Sequence, residues 1–510
     1  MQYFTQHKWL QFIALLAVFF ALVMAIDPTT GGNLWRLQEN LFWLLPDAVN
    51  DGLKCLINDF WVVDIYDAEL DLTEESTMMK EFTRTLSGVV LFCINLIREL
   101  LLGGVKTVVA FTSWDFVSEN EWARIPALPW TAVAAGAFLI GHYLGGRNLS
   151  ILAGTSIIYI AVFGQWTPAM QTLSFVLVAV PLSVFLGLVL GICAYKSKTF
   201  ESILAPLLNV AQSMPHFSYL IPVVVFFGIG DHAGAISTVI FATPPMIRLT
   251  ILGLKKVSPE VLEAGMMSGC SPRQLMFKVL IPTARHDILI GVNQVIMQCL
   301  AMAVIASFIG ARGLGYDLLV SLNTLNIGEA LELGVSIVLI AVVLDKLSLA
   351  WANKQADYFA DLPFHLHHKY SLAFLGILIF TSVIAYVASV LFPDKSNYLY
   401  VIAESQGFTT KDFWDLIVDW IITNSYQSVQ SFNFFMITSI LMPMKEAYLA
   451  MPVAATLFLV AGIGFIIGGL RSAIIVTAFI AFIALTPWWD RALITAYMVT
   501  FAVIISVIIG

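Results

Sequence analysis

The chain of 510 residues contains about a dozen apolar runs, each close to the length that a helix needs to cross a bilayer. The runs begin near Trp9, Pro129, Leu149, Met170, Leu204, Ala233, Ile288, Ala330, Ser371, Pro452, Ser472 and Ala492. Lipid offers the backbone no hydrogen bonds, so long apolar runs without alternation indicate helices. Only 12% of the residues are charged, against about 25% in soluble domains. The sequence therefore predicts an all-α, polytopic membrane protein of about twelve spans.

The first run, residues 9–26, could be a signal peptide or a retained span. It is long for a signal peptide, and the DPTTGGN that follows is a poor cleavage site, so we expect a retained span. No basic patch is interleaved with aromatic residues, so no nucleic-acid partner is expected.

Lysine and arginine assign the sides of the membrane, because cytoplasmic loops are enriched in both. One side carries Arg147, Lys196, Lys198, Arg248, Lys255, Lys256, Arg273, Lys278, Arg285, Lys354, Lys369 and Arg471. The acidic segments 27–126 and 392–451 then fall in the periplasm. Residues 86–111 are apolar, but Arg98 and Glu99 would each cost about 2.5–3.5 kcal/mol at a helix centre. We therefore expect an interfacial amphipathic helix there.

An internal repeat appears when the chain is shifted against itself. Residues 129–187 align without a gap on residues 452–510. The shift superposes a proline, a Gly-Gly pair and a tryptophan of each copy: Pro129 on Pro452, Gly145–Gly146 on Gly468–Gly469, and Trp166 on Trp489. The first copy continues to about residue 346. We expect residues 452–510 to begin a second, incomplete unit, either because the chain is a fragment or because that unit is degenerate.

Residues 258–282 predict two short helices in a cytoplasmic loop. Ser258 can cap the first helix with Pro259 at its first position, and Gly269 can end it. Ser271 and Gln274 have the spacing of a capping box that starts the second helix. Apolar side chains of the first helix form the expected contact set: Val261, Leu262, Met266 and Met267.

This loop resembles the E-A-A-x3-G-x9-I-x-L-P loop of ABC importer permeases. The matching positions are Glu263, Ala264, Gly265, Gly269, Val279, Ile281 and Pro282, with glycine in place of the third small residue. The resemblance implies the transmembrane fold of type I ABC importers, in which this loop docks into the ATPase subunits. An accidental match is the alternative.

Residues 211–254 and 302–315 are similar to permeases for glycine betaine, proline betaine and choline. The resemblance implies a quaternary-amine substrate, a pair of ATPase subunits and a periplasmic substrate-binding protein. No Walker A sequence occurs, and Gly310-x-x-Gly313-x-Gly315 follows a membrane helix, so it predicts a turn. ATP and magnesium are therefore expected on a separate chain, with no cofactor, metal or catalytic residue on this one.

One intramembrane stretch suggests a substrate path: Met214, Pro215, Phe217 and Tyr219. A proline break is tolerable where protein lines a cavity, and aromatic faces can bind a quaternary ammonium. A kinked helix with ordinary aromatic packing is the alternative. His216 could serve as a proton relay, while Asp231 and His232 are expected to be solvated at a span end.

These observations predict a permease subunit in a bacterial inner membrane, not an enzyme. The expected layout is 1–126 (first span, periplasmic segment and interfacial helix), 127–350 (complete permease domain), 351–451 (linker, span and second periplasmic segment) and 452–510 (start of a second repeat). The alternative function is an ion-gradient-driven secondary transporter, which would require paired intramembrane acids and inverted repeats. A channel or membrane scaffold would give the capped loop no role.

Overall fold

The structure, a computed structural model, is that of a helical membrane protein. It describes residues 2–25, 51–52, 55, 62–67, 72–103, 105–107, 123–125, 127–354, 369–391, 402 and 407–510. Within these residues, seven helices are long and apolar enough to cross a membrane, and a bent helix pair makes eight. The predicted number of about twelve is therefore approximate. Most of 27–126 and part of 392–451 lie outside the described residues.

The chain divides into two units, of which the larger covers residues 61–420. Its helices are α2 Met78–Arg98, α3 Trp130–Val162, α4 Trp166–Lys196, α5 Lys198–Ser213, α6 His216–Phe227, α7 Asp231–Lys256, α8 Pro259–Met267, α9 Pro272–Gln274, α10 Ile281–Thr283, α11 Arg285–Ile305, α12 Leu314–Asn323, α13 Ile327–Asn353 and α14 Lys369–Leu391. A π-helical turn, Glu99–Gly103, continues α2, and another, Leu275–Leu280, joins α9 to α10.

Two short pairs of antiparallel strands depart from the predicted all-helical fold. Strand β1 (Val62–Asp67) pairs with β2 (Leu72–Thr77), and β3 (Val105–Thr107) pairs with β4 (Ala123–Ile125).

The smaller unit combines residues 1–60 with residues 421–510. It contains α1 Gln2–Ala25, most of α15 Lys411–Phe435, α16 Met442–Leu449, α17 Val453–Ala484 and α18 Trp489–Ile509. Helix α1 packs closely on α17, since a Cβ at Gly462 would lie 2.2 Å from Leu15 Cδ1. The layout predicted from the sequence, with boundaries after residues 126, 350 and 451, stays a prediction.

The core of the larger unit forms where α4 and α7 approach each other through glycines. A Cβ on Gly187 would lie 2.4 Å from Met246 Cγ, and one on Gly191 would lie 2.7 Å from Thr250 Cβ. Lipid is as apolar as a leucine side chain, so membrane helices associate through close packing of small residues. The glycines of α4 therefore set the distance between these two helices.

The two copies of the repeat have the same local geometry. Helix α3 folds back at Gly146 (φ 75°, ψ −158°), and α17 folds back at Gly469 (φ 73°, ψ −168°). In both copies a proline precedes the helix in extended conformation and a buried tryptophan begins the next helix, Trp166 in α4 and Trp489 in α18. Each pair of runs predicted at Pro129 and Leu149, and at Pro452 and Ser472, is thus one helical hairpin.

Helix α2 differs from the interfacial helix predicted at 86–111. Residues 78–102 are long and apolar enough to span a membrane, and buried Val90 and Ile94 pack into the core with α4 and α7. The charge of Arg98, which argued against a span, is neutralised by an ion pair with Asp231, 2.5 Å away. If α2 crosses the membrane, strands β1 and β2 lie on the opposite side of it from strands β3 and β4.

Candidate functional site

The loop between α7 and α11 folds as the two short helices that the sequence predicts. Helix α8 ends in a Schellman motif, in which Cys270 N–H donates to Gly265 O and Gly269 N–H donates to Met266 O. Gly269 adopts the positive φ, 76°, that this ending requires. The capping box of the second helix is complete: Gln274 Oε1 accepts from Ser271 N–H at 2.8 Å, and Ser271 Oγ accepts from Gln274 N–H at 3.4 Å.

Ser258 does not cap α8 through its side chain as predicted. It occupies the N-cap position in extended conformation, and Pro259 follows it at the first helical position. The pKa of Glu260 is lowered from its ordinary value by the backbone N–H of Glu260 and then by the Ser258 hydroxyl. The first turn of α8 is therefore stabilised by a carboxylate bonded at the helix N-terminus.

A glycine brings the two helices of the loop into close contact. A Cβ on Gly265 would lie 2.7 Å from Leu275 Cδ1 and 3.3 Å from Val279 Cγ2. Gly265 is buried and Val279 is half-buried, so both contribute to this internal contact. Gly265 takes the place of the third small residue in the E-A-A pattern. At this position α8 lies almost against the second helix.

The second helix is anchored in the core below it. Met276 and Leu280 are buried in one cluster with Leu254 of α7 and Ile288 of α11. An ion pair between Lys256 Nζ and Asp287 Oδ1, 2.8 Å apart, joins the ends of α7 and α11 beside the loop. The loop is therefore packed directly against these two membrane helices.

Other loop residues face outwards. Glu263, Ala264 and Pro282 are exposed, as are the large side chains of Met266, Met267 and Phe277. Met267 is 83% exposed, whereas the predicted contact residues Val261 and Leu262 are half-buried, as is Ile281. Phe277, 62% exposed, was missed by the sequence reasoning because it belongs to the π-helical turn.

The predicted helix break lies between α5 and α6, which meet at an angle of 104°. Met214 and Pro215 are both extended at this bend. Proline has no N–H, so the carbonyl of Ala211, four residues earlier, loses its helical donor. The Tyr219 hydroxyl donates to that carbonyl instead. Tyr219 is thus buried and supports the bend rather than facing open space.

The other residues of the predicted path divide between two aromatic contacts. Phe217 is 52% exposed and meets Phe308 edge to face, with ring centroids 5.3 Å apart. His216 lies 4.3 Å from the ring of Phe241, which also contacts Tyr219. Met214 packs on the buried cluster that contains Tyr219 and Phe241. The four predicted residues lie at one bend, but they do not line one common surface. The contacts with Phe241 and Phe308 were not predicted from the sequence.

Asp231 is not solvated as expected. Its Oδ2 accepts from Arg98 of α2 at 2.5 Å, and its Oδ1 accepts from the backbone N–H of Arg312 at 2.7 Å. The side chain of Asp231 is only 11% exposed. His232 Nε2 lies 2.8 Å from Phe227 O. One carboxylate therefore joins α2, the start of α7 and the turn that follows α11.

Comparisons with known proteins assign this helical membrane bundle, with its folded loop between two spans, to the membrane components of binding-protein-dependent transport systems. Residues 179–393 match the family described as "binding-protein-dependent transport system inner membrane component". The chain belongs to this family. It is accordingly an inner-membrane permease subunit of an ABC importer, and not an enzyme.

Relatives support this membership over most of the chain. The trimethylamine N-oxide transport system permease protein TmoV of Pelagibacter ubique is 49% identical over 99% of this chain and 74% of its own length. The protein of the same name from Ruegeria pomeroyi is 41% identical over 81% of this chain and 62% of its own length. The glycine betaine/proline betaine transport system permease protein ProW of Escherichia coli is 43% identical over 42% of this chain and 60% of its own length.

Proposed function

We propose that this permease carries a small methylated amine through the inner membrane. Trimethylamine N-oxide, glycine betaine, proline betaine and choline form the candidate class. The proposal rests on relatives that are named for trimethylamine N-oxide and for glycine betaine or proline betaine. A periplasmic substrate-binding protein would deliver the amine.

The observation that carries the mechanism is the anchored loop between α7 and α11. We assign it as the coupling loop that docks into a pair of ATPase subunits, which would hold ATP and magnesium. The residues assigned to it are Glu263, Ala264, Gly265, Gly269, Val279, Ile281 and Pro282. Exposed Glu263, Met266 and Met267 give this part of α8 a surface with a carboxylate and two large apolar side chains. Because the loop rests on α7 and α11, closure of the ATPases would shift the bundle between two arrangements.

The bend between α5 and α6 is our assignment for part of the substrate path. Phe217, with Phe308 beside it, offers an exposed aromatic face to a methylated ammonium group. Met214, Pro215 and Tyr219 would maintain the bend that presents this face.

The same proposal treats residues 127–350 as a complete permease domain and residues 452–510 as the start of a second one. The matching fold-back geometry at Gly146 and Gly469 supports this layout. An ion-gradient-driven secondary transporter is not favoured, because the family is that of binding-protein-dependent systems.

The test is uptake of labelled trimethylamine N-oxide, glycine betaine and choline into proteoliposomes that contain the assembled transporter. We expect uptake to require internal ATP and the binding protein. Glu263→Lys should abolish ATP-linked uptake while membrane insertion stays normal, because it reverses the charge at the exposed position 263 of α8. Glu446→Lys, an exposed position on α16, is the matched control. Full uptake by Glu263→Lys would reject the docking assignment, and uptake driven by an ion gradient without ATP would reject the importer mechanism.

A further inference from the structure

A cup lies at the end of the larger unit opposite to the coupling loop. Its volume is about 620 Å³, and it is lined by the start of α4 and by the turn and helix that follow α11. The lining includes Thr167, Gln171, Arg312, Tyr316 and Asp317. Helix α4 has 31 residues, so its two ends are roughly 45 Å apart at 1.5 Å per residue. By the distribution of lysines and arginines, this end faces the periplasm.

The turn that carries Arg312 into the cup is fixed from two sides. On one side, the Thr172 hydroxyl of α4 accepts from Leu314 N–H at 2.9 Å and donates to Pro168 O at 3.0 Å. On the other side, Asp231 Oδ1 accepts a hydrogen bond from the backbone N–H of Arg312 at 2.7 Å, and Gly230 N–H donates to Ile309 O at 3.0 Å. The turn is therefore set before any ligand arrives, which lowers the entropy lost on binding.

Glycines allow the backbone to approach α4 this closely. Gly310 and Gly313 both line the cup and have φ values of 80° and 137°. A Cβ on Gly313 would lie 2.4 Å from Thr172 Oγ1, so no larger residue fits without displacing the turn.

The side chains in the cup combine three kinds of recognition. Arg312 is exposed and offers a guanidinium, which forms paired hydrogen bonds with oxyanions. Tyr316 is 42% exposed and offers an aromatic face to a cation, and the carboxylate of Asp317 also lines the cup. Gln171 and Thr167 add neutral hydrogen-bonding groups. Together, the positive charge of Arg312, the negative charge of Asp317 and the aromatic ring of Tyr316 suit a ligand that has both a methylated cationic nitrogen and an anionic oxygen.

We propose that this cup is a periplasmic binding site of the permease itself for small zwitterionic amines or amine N-oxides. The anionic oxygen bonds to Arg312, and the methylated nitrogen lies against Tyr316 and Asp317. The volume is within the range of about 300–1,000 Å³ that is usual for small-ligand sites, and it leaves space for bridging water. The choice of ligand class rests on the proposed function. Choline, which has no anionic oxygen, should bind more weakly than glycine betaine.

The experiment measures binding of glycine betaine and trimethylamine N-oxide to the full chain in lipid nanodiscs, without binding protein, by saturation-transfer NMR. We expect binding that Arg312→Gln weakens at least tenfold, with a smaller loss for Tyr316→Leu. Arg248→Gln is the matched control, because Arg248 lines a separate cup of about 380 Å³ at the other end of the bundle. In the assembled transporter, Arg312→Gln should raise the KM for uptake and leave kcat nearly unchanged.

Two results would overturn the site. The first is normal uptake by the wild-type transporter with no ligand binding to the permease alone. The second is an Arg312→Gln variant that no longer binds the substrate-binding protein but still binds the ligand. The cup would then be a docking site for that protein. Failure of the proposed function is a separate result, since the wild-type transporter would then take up no methylated amine at all.

Discussion

The hydroxyl of Tyr219 supports a helix break within the membrane, where an unbonded carbonyl finds no water. Tyr219→Phe removes the donor to Ala211 O and leaves that carbonyl unsatisfied. We expect the variant to lose about 1–3 kcal/mol of stability. Thermal unfolding in detergent measures this loss. Tyr195→Phe is the control, because the Tyr195 hydroxyl has no hydrogen-bond partner among the described residues. Equal melting temperatures for the two variants would contradict the role of Tyr219.

Asp231 is the second residue whose role depends on distant parts of the chain. Asp231→Asn keeps an acceptor for Arg312 N–H but leaves Arg98 without its counter-charge. Exposed pairs contribute up to about 1 kcal/mol, while breaking a buried pair costs about 3–5 kcal/mol. The side chains are 21% and 11% exposed, so we expect a loss nearer to the buried case.

Thermal unfolding of Asp231→Asn, Arg98→Met and the double variant measures this coupling. The double variant should recover part of the loss, because no unpaired charge remains. Lys255→Met breaks the more exposed pair with Glu201 and should have little effect. Additive effects of the two single variants would show that Arg98 and Asp231 do not stabilise each other.

At the scale of elements, the two helices of the loop between α7 and α11 depend on Gly265 for their contact. Gly265→Ala places a methyl group against the flexible end of Leu275, which can move, so we expect uptake to remain close to normal. Gly265→Val adds bulk towards Val279 as well and should displace α8. We expect it to lose ATPase co-purification and most uptake while the protein still inserts. Equal activity of the alanine and valine variants would show that the contact is unimportant.

The loop also shows which parts of an element a sequence reveals. Its caps are local patterns, so the capping box of Ser271 and Gln274 and the ending at Gly269 could be read directly. The exposed position of Phe277 could not, because the π-helical turn shifts the residues that follow from the regular helical period. In the same way, the ion pair of Arg98 could not be foreseen, since Asp231 lies 133 residues further along the chain.

For the whole molecule, hydropathy predicted where apolar helices lie but not how they turn. The prediction of a bundle of membrane helices is confirmed, because long apolar runs leave few other structures. The fold-back of α3 and α17 was hidden, since a Gly-Gly pair is also common inside straight membrane helices. The repeat itself indicated that the two copies, residues 129–187 and 452–510, would adopt the same backbone geometry.

That equivalence gives a prediction for the whole chain. Gly146 and Gly469 have almost the same backbone angles, in a region that only glycine adopts easily. A Cβ added to either glycine would have no atom within 4 Å, so alanine would strain the backbone without causing a clash. We expect Gly146→Ala and Gly469→Ala each to lose about 1–3 kcal/mol of stability. Hydrogen exchange of the two hairpins in the intact protein measures each loss locally.

Gly334→Ala in α13 is the control, because Gly334 also has open space around it but lacks a positive φ. This variant should be neutral or slightly stabilising, since alanine favours a helix. The two hairpins belong to different units, so each substitution should increase exchange in its own hairpin. A strong loss at Gly146 with none at Gly469 would mean that the second hairpin does not keep the fold-back in solution. The structural equivalence of the two copies would then fail, although the matching sequence would remain.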